Sequence, residues 1–340
     1  MSATRAGSAV EATVTRARAP SLLPHDRWHP LELAFWLAGV AAALAFPEYR
    51  VLVSQIFITS LFALSLDLIL GRAGIVSLGH AAFFGIGAYT AGLLATHGWG
   101  EPLTGLFLGG ALAALAGRVV GLLVVGVGGL SQLMVTLGIG LLFFEAANRA
   151  APITGGVDGL YGVSMGKLFG VFEFDLFGTT ACWYSFAVLF AAFVLLRRIV
   201  ASPFGLSLRG IREGPRRMPA LGAPVDRRRL AVFTLGAGLA GIAGALLAQT
   251  TQFVGLDVLS FARSADVLIM VVLGGAGRLY GALVGATLFM LAQDRLSGVD
   301  PVYWQFWIGL LLVIVVLFAR GGVLDGLERV YRAVARRRTR

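Results

Sequence analysis

Residues 71–94 read GRAGIVSLGHAAFFGIGAYTAGLL, a stretch long and apolar enough to cross a bilayer, yet crowded with glycine and carrying Ser77, His80, Tyr89 and Thr90. A helix that faces only lipid gains nothing from glycine. A helix packed against other helices uses small residues for close backbone approach and turns its polar groups inward, away from hydrocarbon. The segment is therefore expected to be a span lining the middle of a helical bundle. Ser77 and His80, three positions apart, are expected on one helix face, and with Tyr89 and Thr90 they are the candidates for a translocation path.

The chain around this stretch has the composition of an integral membrane protein. Of its 340 residues 57% are hydrophobic and 14% are charged, against about 25% charged in soluble domains. The formal net charge is +10, and the arginines fall in blocks between apolar runs. That is the arrangement of loops retained on the cytoplasmic side of a membrane, not of a nucleic-acid surface. Cys182 is the single cysteine, so the chain forms no internal disulfide and no cysteine-based metal site.

Apolar runs at 31–46 and 51–70 precede the central stretch, and runs at 103–128, 131–148, 181–196, 230–254 and 303–319 follow it. The run at 103–128 carries Gly105, Gly109, Ala113, Gly117 and Gly121 at every fourth position, a helix-packing stripe, and also Arg118, which must face protein, water or an interface. The apolar region 264–293 is cut by LGGAGRLYG into two pieces, either two short helices or one re-entrant pair. The expected fold is an all-α polytopic membrane protein, a bundle of about ten transmembrane helices, some short or broken. Residues 1–30 read as a cytoplasmic tail without a signal-peptide pattern, 31–319 as the membrane domain with a basic cytoplasmic loop at 197–229, and 320–340 as a second basic tail. With all three basic stretches inside, six spans precede the loop and an even number follow it. LGRAG at 70–74 echoes LGGAG at 273–277, but both close spans that run inward, so the echo is no sign of an inverted repeat.

No catalytic constellation is visible. Gly166-Lys167 lacks the first glycine and the Ser/Thr of a phosphate-binding loop, so ATP, if used, is hydrolysed by another subunit. Gly162-Val163-Ser164-Met165-Gly166 has the spacing of a hydrolase nucleophile elbow, but His25, His29, His80 and His97 all precede Ser164, the reverse of the order that motif requires. The histidines are too scattered for a metal site. Among the intramembrane carboxylates, Asp67 reads as a structural partner of Arg72, and Glu145 and Asp266 lie near segment ends, which argues against ion coupling.

Five stretches together resemble one family. GRAGIVSLGHAAFFGIGAYTAGLL at 71–94, TGGVDGL at 154–160, SPFGLSLRGIREGPRRMPALG at 202–222, GGAG at 274–277 and the stretch from Phe318 to Gly326 are similar to the permease subunits of branched-chain amino-acid ABC importers, the LivH/LivM family, on its LivM side. The resemblance runs from about residue 50 to 326. It implies the fold of an ABC importer permease in a bacterial cytoplasmic membrane, with both termini cytoplasmic. It also implies a LivH-type permease partner, two ATP-binding cassette subunits that use the ATP, and an external substrate-binding protein. No nucleic acid, metal or chain-bound cofactor is implied, and no catalytic residue. The basic loop is expected to dock on the ATPase through Arg212, Glu213, Leu221 and Gly222, with a short coupling helix following Ile-Arg-Glu. Gly214, Pro215 and Pro219 depart from the family pattern there and shorten or shift that helix. Thr154, Gly155, Gly156 and Asp158 would form the external loop. Permeases for urea and short amides carry nearly the same motifs, and an ion-coupled carrier is the alternative of a different class.

Overall fold

A computed structural model describes residues 30–318, apart from 171, 176–177 and 216, together with 322–323. The basic tails expected at the two ends lie almost wholly outside these residues. Among the described residues there are twelve α-helices and no β-strand. The protein is an all-α polytopic membrane protein.

Helix α1 (Pro30–Ala45) turns at Pro47 into α2 (Arg50–Asp67). Helix α2 continues through one π-helical turn, Leu68–Arg72, and there the helix stops. The expected single span at 71–94 is therefore broken: residues 73–80 are irregular and α3 (Ala81–Thr96) begins only at Ala81. Gly74, at φ +71°, takes a left-handed conformation that ends the helical path. Irregular backbone survives at membrane depth only where protein surrounds it, and Ala73, Ile75 and Ser77 are each 1% exposed.

Helices α4 (Pro102–Val125) and α5 (Leu130–Arg149) follow, then the short α6 (Ala151–Thr154) and a loop leading to α7 (Thr179–Ala201). The basic stretch resolves into α8 (Pro203–Glu213), a non-helical link with one 3-10 turn at Pro219–Leu221, and the start of α9 (Val225–Thr251). Helix α8 starts on Pro203, whose missing N–H costs nothing in a first turn, and Gly214-Pro215 stops it. The helix of this stretch thus precedes and includes Ile-Arg-Glu, and where the sequence places a short helix afterwards the described residues hold only the 3-10 turn. Helices α10 (Phe261–Gly274) and α11 (Leu279–Val299) meet at 118° across the expected break, and α12 (Trp304–Phe318) follows.

The core is the packing of α3, α4 and α9. The stripe Gly105, Gly109, Ala113, Gly117 and Gly121 is buried as expected, and faces α9. Two positions show how close these backbones come: a Cβ on Gly87 would sit 1.9 Å from the Gly241 carbonyl oxygen, and one on Gly244 would sit 1.8 Å from that of Phe84. Helix α5 behaves differently. It buries only Gln132, Thr136 and Gly140 and leaves an apolar face, including Met134, Leu141 and Leu142, exposed. Arg118 is exposed on the outer face of α4, away from this core. Alternating helix directions bring Gly71, the end of α8 and the α10–α11 turn together at one end of the bundle, with residues 74–80 leading inward from it, and the 151–178 loop to the other.

Candidate functional site

The irregular segment 73–80 is held by side chains from three helices. Leu78 N–H donates to Thr136 Oγ1 of α5 at 3.2 Å, and Ala81 N–H donates to Ser264 Oγ of α10 at 2.9 Å. Gly79 lies so close to α5 that a Cβ there would be 2.0 Å from the Thr136 carbonyl oxygen. His80 Nε2 is 2.8 Å from Ser65 Oγ of α2, whose hydroxyl donates to the Phe62 carbonyl at 2.6 Å. With that proton committed, the serine oxygen accepts from Nε2–H, and Nδ1 keeps its lone pair. The ring stacks on Phe62 at 5.4 Å and 6° and meets Phe83 edge-on. Among the described residues, His80 Nδ1 and Ser77 Oγ are buried without a hydrogen-bond partner, a costly state for polar groups.

These groups form a polar seam between α2, α5 and α10: Ser65, Ser77, His80, Thr136 and Ser264, all buried. Ser77 and His80 lie together in it, but on irregular backbone and not on the expected helix face. Tyr89 and Thr90 do not join them. They lie on α3, nine and ten positions beyond His80, which is about 14 Å along a helix. Tyr89 is buried with its hydroxyl unpartnered, and Thr90 donates to the Ile86 carbonyl within its own helix. Ser65, Thr136 and Ser264 are absent from the sequence-based candidates.

A junction closes the seam at the α8 end. Asp67 Oδ1 accepts from Gly277 N–H of the α10–α11 turn at 2.6 Å, and Arg212 Nη1 of α8 donates to the Gly71 carbonyl. The expected Asp67–Arg72 pair is not formed; Asp67 takes a backbone amide instead. The LGRAG and LGGAG stretches meet here, and Gly322 packs on Gly274 and Gly275.

The sequence of the described protein has clear relatives. The family described as branched-chain amino acid transport system / permease component matches residues 50–316. The chain belongs to that family. The high-affinity branched-chain amino acid transport system permease protein LivM of Escherichia coli (strain K12) is 29% identical over 78% of this chain and 67% of its own length. The autoinducer 2 import system permease protein LsrC of Enterobacter sp. (strain 638) is 31% identical, covering 88% of this chain and 87% of its own. The L-arabinose ABC transporter permease protein AraH of Azospirillum brasilense is 31% identical over 78% of this chain and 76% of its own length. No solved structure matches.

A permease of this family is a transport subunit and not an enzyme. In this permease the other candidate residues fall at the two ends of the bundle. At the α8 end, Arg212 and Glu213 close α8, Leu221 is 78% exposed, and Gly222 takes a left-handed turn at φ +77°. At the opposite end, Thr154 Oγ1 donates to the Ala147 carbonyl at 2.6 Å and accepts from Gly156 N–H at 3.2 Å. Gly155, Gly156 and Gly159 all have positive φ, and Leu160 exchanges backbone hydrogen bonds with Val254. Asp158 is exposed at the tip of this loop. Lys167 pairs with Glu173 at 2.7 Å, which lowers the glutamate's pKa through the hydrogen bond it accepts.

Proposed function

We propose that this chain is the LivM-type permease of an ATP-driven importer that moves branched-chain or related amino acids across the bacterial cytoplasmic membrane. Membership of the permease family and the likeness to LivM over most of the chain carry this reading. In it, the α8 end faces the cytoplasm, both termini lie on that side, and the 151–178 loop faces the binding protein that delivers the substrate. A LivH-type permease completes the path. Two ATP-binding cassette subunits supply the energy, and this chain binds no cofactor of its own. Glu213, Leu221 and Gly222 form the docking surface for one of them, and Arg212, whose guanidinium is held on the Gly71 carbonyl, couples that surface to the bundle. An exposed leucine on a basic loop supports this, because an apolar anchor ringed by charge suits a protein contact. Ser77 and His80 supply unused hydrogen-bonding groups to the path, and the external loop of Thr154, Gly155, Gly156 and Asp158 forms its outer edge.

Relatives named for autoinducer 2 and L-arabinose carry this fold to other small solutes, so substrate class is the part to test. The test is uptake of radiolabelled leucine, urea and acetamide into vesicles holding the full complex with ATP and its binding protein. Leucine uptake that requires both ATP and the binding protein is expected. Uptake of urea or acetamide in preference to leucine would assign an amide importer. Uptake by this chain alone on an ion gradient would assign a secondary carrier.

A further inference from the structure

We propose that Arg212 is a positioning residue that carries movement of the docking loop into the polar seam, through its hydrogen bond to the Gly71 carbonyl. The proposal rests on the permease reading above. Arg212 lies in the last turn of α8, a helix seated against the bundle by Gly205, Leu208 and Ile211. Its guanidinium spans 141 positions of sequence to reach Gly71. Gly71 belongs to the π-helical turn that closes α2, and the irregular segment bearing Ser77 and His80 starts at Ala73. A shift of α8 therefore pulls on the backbone just upstream of the seam, with no intervening helix to absorb it.

The junction is built for that contact. A Cβ on Gly71 would lie 2.4 Å from Gly277 N and 2.3 Å from Asp67 Oδ1, and one on Gly277 would lie 2.8 Å from Arg212 Nη1. Only glycine at both positions lets α2, α8 and the α10–α11 turn converge on one carbonyl and one carboxylate. The Asp67 hydrogen bond to Gly277 then ties the same movement to α10, whose Ser264 holds the start of α3.

Two observations point to a second arrangement of the junction. A π-helical turn holds one residue more than an α-turn, and such turns are frequent at functional sites. At the two ends of this one, Asp67 Oδ2 and Arg72 Nε are each buried without a hydrogen-bond partner, and a hydrogen bond left unmade by a buried group is costly. These groups complement each other, one acceptor and one donor flanking the π-turn. Re-registering that turn when Arg212 pulls on Gly71 is the movement that brings them together.

The experiment is hydrogen–deuterium exchange on the full complex in nanodiscs, comparing ADP with ATP plus vanadate. Peptides covering 69–80 in the wild-type chain are expected to change exchange with nucleotide. In Arg212→Met that change is expected to vanish, while peptides from 203–213 keep theirs and the ATPase subunit still copurifies. Arg212→Lys, which keeps a donor, is expected to retain the change at 69–80. Leucine transported per ATP hydrolysed is expected to fall about tenfold or more in Arg212→Met, within the 5–150-fold range of typical coupling between sites. The proposal is overturned by a nucleotide response at 69–80 that survives Arg212→Met, or by its absence in the wild type. A loss of the response in α8 itself also overturns it, since that places Arg212 in the docking contact. Failure of the wild-type chain to copurify an ATPase overturns the permease reading instead.

Discussion

The packing of α3, α4 and α9 and the seam around residues 73–80 lie side by side in the same bundle, yet they are built on opposite terms. In the first, apolar helices meet through glycine and alanine until carbonyls nearly touch the facing backbone, and Gln249 is a rare polar intruder, tied to the Pro102 carbonyl at 2.7 Å. In the second, irregular backbone is held at a few points by Thr136, Ser264 and Ser65; single polar atoms are left over in both, Gln249 Oε1 and the Tyr89 hydroxyl in the first and Ser77 Oγ and His80 Nδ1 in the second. Close-packed helices have one arrangement available, since interiors pack like crystals and tolerate little change in volume. A segment held by a few side-chain hydrogen bonds has alternatives. On the coupling proposed above, the contrast separates a scaffold from a moving part.

The largest effect is expected at Gly244. A Cβ there would be 1.8 Å from the Phe84 carbonyl oxygen and 3.0 Å from Ala88 N, backbone atoms that no side-chain rotation can move. Gly244→Val should force α9 from α3, a change at or beyond the upper end of the roughly 1–3 kcal/mol of ordinary overpacking. Membrane-inserted protein, measured by fluorescence size-exclusion chromatography of detergent extracts, is expected to be largely lost. A monodisperse peak of normal height would show that the triplet is not the rigid side of the comparison.

On the seam side, His80→Leu removes the hydrogen bond to Ser65 and the stacked ring on Phe62, while Ser77→Ala removes only an unpartnered hydroxyl. Both variants should insert, Ser77→Ala with unchanged thermal stability and His80→Leu with a loss of about 1–2 kcal/mol from the hydrogen bond. Both should nevertheless lose most uptake. Wild-type leucine uptake in Ser77→Ala at normal expression would return the seam to a structural role.

Sequence reading reached the scaffold more readily than the seam, for a physical reason. Burial of small residues at every fourth position leaves a periodic trace, and α4 shows it from Gly105 to Gly121. The cut at LGGAGRLYG was equally visible, because glycine in an apolar run marks a break. Residues 73–80 leave no such trace: Ile75, Val76 and Leu78 are as apolar as any helix, and buried irregular backbone needs the same side chains as a buried span. The partners were harder still. Ser65, Thr136 and Ser264 are hydroxyls in apolar helices, a pattern that usually means a bond to the helix's own backbone, and Ser65 and Thr136 also make one. Asp67 looked to Arg72 because both are charged and near in sequence. Its actual donor is an amide 210 positions away, which no side-chain pattern announces. At the basic loop, Gly214, Pro215 and Pro219 all read as interruptions of a helix, and it is Gly214-Pro215 that stops it and leaves the helix upstream.

A smaller effect on the protein itself, but a large one on its assembly, is expected from Leu221→Asp. The side chain is 78% exposed on its 3-10 turn and touches nothing whose loss would unfold the chain, so stability should change by less than about 0.5 kcal/mol. Copurification of the ATPase subunit should drop sharply. Arg228, at the start of α9 in the same basic stretch, donates to Ser207 Oγ at 2.6 Å and ties α8 to α9. Arg228→Gln should therefore weaken copurification partly, between Leu221→Asp and wild type, and normal binding in both variants would remove the docking assignment.

The smallest effects belong to the far end of the bundle, where the loop is as well satisfied as the scaffold although it looks like a site. Thr154 places one hydroxyl between the Ala147 carbonyl and Gly156 N–H, and this fixes the turn that positions Gly155 and Gly156 at positive φ. Thr154→Val keeps the shape and removes both hydrogen bonds, leaving a buried amide and carbonyl short of partners, at about 1–3 kcal/mol. The Lys167–Glu173 pair on the same surface has both side chains more than half exposed, where water and salt screen the attraction. Lys167→Ala should leave the melting temperature in detergent unchanged, while Thr154→Val should lower it by a few degrees with the uptake rate intact. If Thr154→Val instead abolished uptake without moving the melting temperature, this loop would share the character of the seam, and the division between scaffold and moving part would have to be redrawn around it.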